Sequence, residues 1–86
     1  MNEVDVTIAA RTAYEAVRAY RSQIGMADMV PWIDAGGTKQ SVFEQAVRDV
    51  SKGKHRPIVN IEEVLITAVT TAVLKWRGDG DVHSTR

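Results

Sequence analysis

The stretch from Asn60 to Arg77 sets the tightest limit on what this chain can fold into. It reads NIEEVLITAVTTAVLKWR. On a helical wheel Ile61, Leu65, Ala68, Ala72 and Trp76 fall on one side, and Ile66, Val69 and Val73 on another. Only Glu62, Glu63, Thr67, Thr70, Thr71 and Lys75 interrupt them. A strand is the rival reading of a stretch so rich in Val, Ile and Thr, but its length and its start favour a helix. Asn60 followed by Glu63 resembles a capping box, acids in the first turn suit the positive helix pole, and Gly78 follows Arg77. A peripheral helix of a small domain needs one apolar stripe, whereas a helix that is apolar nearly all round is covered all round.

The whole chain has 86 residues, which allows one domain that hides only about 60% of its unfolded surface. Two other helices cannot easily surround a third in so short a chain. A homo-oligomer resolves this most simply, and a twofold dimer is its commonest form. The alternative is that the Met26–Ile33 loop and the Pro57–Val59 segment cover the second face.

The remaining elements follow from periodicity. Val6, Ala10, Ala13, Val17, Tyr20 and Ile24 recur at steps of three and four, which predicts a helix over about 4–24. Asp5 or Thr7 could cap its start, and Gly25 suits a left-handed residue at its end. Thr38 is the expected N-cap of a second helix over about 38–52, with Phe43, Ala46, Val47 and Val50 as its inner stripe and Gly53 at its end. The third helix covers about 60–77. The fold class expected is all-α, a small three-helix domain over 1–78 with an apolar Pro/Trp loop between helices 1 and 2. Residues 79–86 are polar and aperiodic, and are expected to be a disordered tail. The loop carries Met26, Met29, Val30, Pro31, Trp32 and Ile33. Most loops are polar because they run over the surface, so this one must cover either its own core or a ligand.

Several function classes drop out. With no cysteine there is no disulfide framework and no thiolate metal site. The N-terminus has acids where a secretory signal has bases. The most apolar stretch, Val64–Trp76, is thirteen residues long, and a membrane span needs about 20. A soluble cytoplasmic protein with no membrane contact is therefore expected. His55 and His83 have no ligand partner at helical spacing, and no nucleophile elbow or phosphate loop occurs. Glu62 and Glu63 point about 100° apart on a helix, which suits first-turn acids better than an acid–base pair. No enzyme activity, metal or cofactor is expected. Eleven basic and eleven acidic side chains cancel, which argues against a nucleic-acid binder. The zero hides a local excess, since residues 11–56 hold eight bases and five acids.

That excess suggests a ligand wall. Arg11, Tyr14, Arg18 and Arg21 follow one another at steps of three and four beside the apolar stripe. Arginine forks match phosphate, and a neighbouring aromatic can stack a base. Trp32 would add a stacking platform, and Lys54, His55 and Arg56 a phosphate clamp. Each has a plainer reading: a solvated helix face, a plug under the loop, and cations at a helix end.

The run IAARTAYEAVRAY from Ile8 to Tyr20, then Gly25, Pro31-Trp32, Gln40-Ser41 and Val47, resembles the first half of the RyR repeat domain. The similarity covers about residues 8–50. Beyond it, only Lys75-Trp76-Arg77-Gly78 is similar to the family's ending. The resemblance implies a ligand-binding module for nucleotide-derived signals, with Tyr14, Arg18 and Trp32 at the matching positions. For a small stand-alone protein of phage type it implies an anti-defence sponge that sequesters a cyclic nucleotide or a cyclic ADP-ribose. The competing expectation is a protein-interaction module, or inhibitor, docking a partner through helix 3 or the apolar loop.

Overall fold

Asn2 starts the first helix, in place of the expected Asp5 or Thr7. Its Oδ1 accepts the Asp5 N–H at 2.8 Å, which satisfies an orphan amide and leaves Glu3 and Asp5 in the first turn. This helix, α1, spans Glu3–Gln23. Gly25 follows it with φ 77°, a left-handed conformation that suits glycine best. The chain then runs through a short 3-10 turn, Trp32–Asp34, into α2, Gly37–Ser51. Gly36 takes the cap position of α2 with φ 85°, so Thr38 lies inside the helix and no side chain caps it. α3 spans Ile61–Ser84. Asn60 Oδ1 accepts the Glu63 N–H at 3.1 Å, half of the capping box its sequence suggests.

The computed structural model describes the backbone of residues 1–26, 28–54 and 60–84, and the side chains of these up to residue 76. Among the described residues there is no strand. α3 continues to Ser84, through the Gly78 stop and into the expected tail. A glycine inside a helix costs about 1 kcal/mol relative to alanine, and without a proline behind it that is a weak stop.

Ion pairs mark the helix directions. Arg48 at the end of α2 meets Glu3 at the start of α1 at 2.8 Å. Arg21 at the end of α1 meets Glu62 at the start of α3 at 2.6 Å. Both α2 and α3 therefore run antiparallel to α1. Between them lie Val6, Ala9, Ala10, Ala13, Tyr14 and Val17 of α1, Phe43, Ala46 and Val47 of α2, and Ile66 of α3. Three alanines on the inner side of α1 let its neighbours come close. The buried stripe differs from the expected one at its end, because Tyr20 and Ile24 are exposed and Tyr14 takes the large aromatic position instead. The core widens toward α2 along Ala10 and Tyr14 and does not follow α1 to its last turn.

On α3 the Ile66, Val69 and Val73 side turns inward, and Leu65 from the other apolar side joins it. Ile66 is buried, and Leu65, Val69 and Val73 pack partly against the core. Thr70 is fully buried beside them, and its Oγ1 has no hydrogen-bond partner among the described residues. An unmet buried hydroxyl costs stability, and an apolar group of the same shape removes that cost. Thr70→Val is therefore expected to raise stability by about 1 kcal/mol. The check is a higher urea midpoint with an unchanged slope; a lower midpoint would show that the hydroxyl is satisfied.

Candidate functional site

The loop after α1 is strapped to that helix by side chains of one helical edge. Tyr14 Oη donates to the Val30 carbonyl at 2.6 Å, and Arg18 Nε to the Met29 carbonyl at 2.9 Å. Glu15 Oε2 accepts the Trp32 N–H at 2.9 Å, while its other oxygen meets Arg18 at 2.9 Å. From α2, Gln40 Nε2 donates to the Trp32 carbonyl at 2.7 Å. Tyr14, Glu15 and Arg18 follow one another on the edge of α1 that faces the loop, and each satisfies a backbone group that an apolar loop would otherwise bury unpaired. The Tyr14 ring lies edge-on to Trp32 at 5.5 Å and 67°, and to Phe43 at 5.4 Å and 74°.

Beside this strap lies a cleft of about 400 Å³ lined by Glu15, Arg18, Ala19, Ser22, Asp28 and Met29. It takes in Arg18 of the proposed ligand wall. Tyr14 is only 2% exposed and belongs to the core. Trp32 is half-buried over that core. Arg11 is exposed on the same edge and adds to the positive field around Glu15. Arg21 is turned to Glu62, and its buried Nε has no partner among the described residues. Lys54 stands 3.9 Å from Asp49 at the end of α2. His55 and Arg56 lie outside the described residues. The structure thus brings Arg11, Tyr14, Arg18 and Trp32 to one edge, with Arg21 and Lys54 engaged elsewhere.

A second surface lies on the α3 side of α1. Ile8, Thr12, Ala16 and Tyr20 form a row at steps of four, exposed except for the half-buried Ala16, while the exposed Val4 lies farther round, on the outer side that also carries Arg11 and Glu15. Next to it, α3 turns Val64, Ala68, Ala72 and Trp76 to solvent, with Ile61 and Leu65 half-buried at their flank. Trp76 is 66% exposed. The α3 part was readable on the wheel, but the α1 part was not picked out. Its signal is the unbroken run of four uncharged residues at every fourth position, which the search for a single inner stripe passes over.

The Trp32 N–H is the main influence that holds the Glu15 carboxyl below its ordinary value of 4.5, with Arg18 and Arg11 adding to it. A carboxylate lowered in this way contributes stability that is fully present above the ordinary value and lost as pH falls through the lowered one. With Trp76→Phe leaving Trp32 as the reporter, tryptophan emission is expected to hold steady above pH 4.5 and shift to the red below it. Glu15→Gln is expected to remove that acid step. A step of the same size in the variant would place the titrating group elsewhere.

No known family model matches the chain, and no curated protein and no solved structure matches it.

Proposed function

We propose that this chain is a non-enzymatic, cytoplasmic interaction module that docks a protein partner through the apolar face formed by α3 and the adjoining edge of α1. The observation that carries this reading is the 66% exposure of Trp76 on the same side as Val64, Ala68 and Ala72. Tryptophan is among the residue types that most often dominate a protein interface, and grouped apolar exposure marks interaction surfaces more often than scattered residues do. Glu15 and Arg18 are spent on the loop strap. A photoreactive residue at Ala68 is expected to cross-link a protein in cells of the source organism, and one at Ser41 on exposed α2 to give none. Ala72→Glu is expected to abolish the product. Equal labelling at both positions, or none at Ala68, would overturn the reading.

The second reading is the one the RyR resemblance implies, sequestration of a nucleotide-derived signal. The cleft beside Arg18 and Ser22, with Arg11 on the same edge, favours it. It ranks second because Glu15 and Asp28 share that cleft, and an anionic ligand would meet both carboxylates. A melting panel of cyclic dinucleotides, cyclic trinucleotides and cyclic ADP-ribose isomers decides it. A ligand at about a hundredfold over its dissociation constant stabilises by roughly 2.7 kcal/mol. That shift should vanish in Arg18→Ala; no shift with any compound removes the reading.

A further inference from the structure

We infer that the partner on the α1/α3 face is a second copy of this chain, the two faces meeting as an antiparallel four-helix bundle. This rests on the reading of that face as a docking surface and names its occupant.

Charge is the first argument. In a chain with 26% charged residues, the middle of this face, Thr12, Ala16, Ala68 and Ala72, carries no charge, and Arg11 and Glu15 lie along its border on α1. Glu15 and Arg18 hold the loop. Arg21 and Glu62 are paired to each other, and Asp5 is buried. Lys75 stands at the outer rim. Charge depletion of this kind is the mark of an interface core. It offers nothing to bind a polyanion, or to set register with a charged partner. A net charge of zero means that two copies do not repel.

Area is the second argument. The row from Ile8 to Tyr20 rises about 18 Å and that from Ile61 to Trp76 about 22 Å, and two packed helices are roughly 20 Å wide. The flat footprint is therefore on the order of 400 Å² before side-chain relief is counted, against about 800 Å² of accessible surface per partner in a standard interface. One helix alone would supply half of that. The layer has the scale of a stable dimer only when α1 and α3 act together.

Shape is the third. The Arg21–Glu62 pair sets the register of the layer, so that Thr12 and Ala16 lie near the level of Ala68 and Ala72. The middle is thus built of small residues, with Ile8 and Trp76 toward one end and Tyr20, Ile61 and Leu65 toward the other. Small residues at the centre let two layers approach closely. Because α1 and α3 are themselves antiparallel, a twofold that stacks two such layers sets antiparallel helices face to face, which is the arrangement of an up-down bundle.

Light scattering of the full chain at about 100 µM, well above the range of a stable dimer's dissociation constant, should give twice the 9.5 kDa chain mass. Ala68→Glu and Ala72→Glu should each give a folded monomer by circular dichroism, and Ser41→Glu a dimer. Should either α3 variant fail to fold, Thr12→Glu on exposed α1 tests the same face and should also give a monomer. A wild-type monomer at this concentration, or a dimer that survives glutamate at 12, 68 and 72, would overturn the inference. If that monomer still cross-links a different protein from position 68, the docking reading stands and only the choice of partner fails.

Discussion

Tyr14 joins every part of the inner half of this molecule. Its ring stands between Phe43 of α2 and Trp32 of the 3-10 turn, and its hydroxyl holds the loop at Val30. A buried tyrosine needs a partner for its hydroxyl, and the loop carbonyl supplies one. The loop in turn needs donors and acceptors for its backbone. Glu15, Arg18 and Gln40 provide them. Met29 and Trp32 of the loop therefore pack on the core, while Met26, Val30 and Ile33 stay exposed, and the aromatic and the arginine that look free in the sequence are already engaged.

α3 depends on the opposite balance. Its inner side includes a fully buried threonine whose hydroxyl has no partner among the described residues, while a tryptophan on its outer side is two-thirds exposed. Packing alone would favour the reverse. Burying apolar surface is worth roughly 25 cal/mol per Å², so leaving Trp76, Val64 and their neighbours in water forgoes stability that a domain of this size can least spare. A surface retained on those terms fits a helix with work to do outside its own domain.

The sequence made the three helices legible, because periodicity, Gly25 and the Asn60–Glu63 start each leave a local signal. It was less clear at the other ends. The Asn2 cap precedes the periodic run and is one of several capping residues in a row. Gly78 looks like a stop but costs too little to be one. The ligand wall was legible as a pattern of arginine and aromatic side chains, yet spacing does not reveal that the loop returns to claim them. Long-range bonds such as Trp32 N–H to Glu15 exist only once the loop has folded back. For α3 the wheel displayed two apolar sides and could not tell inner from outer. Ile66, Val69 and Val73 face inward, on the side from which Glu62 also reaches Arg21.

The inner and outer faces of α3 are fixed together. Glu62 meets Arg21 on the inward side, and Ala68 and Ala72 are committed to solvent once Ile66 is committed to the core. The outward apolar row is thus a consequence of the inward one, on a helix whose sequence is apolar on both. Breaking it with charge would leave the monomer's core contacts untouched, since none of the core residues lies on that row. A row that could be made polar without disturbing the fold, and that is apolar all the same, is explained by what it meets rather than by the fold it belongs to. For a neutral chain with a marginal core, a second copy also couples assembly to stability, because whatever binds the folded state shifts the folding equilibrium by mass action.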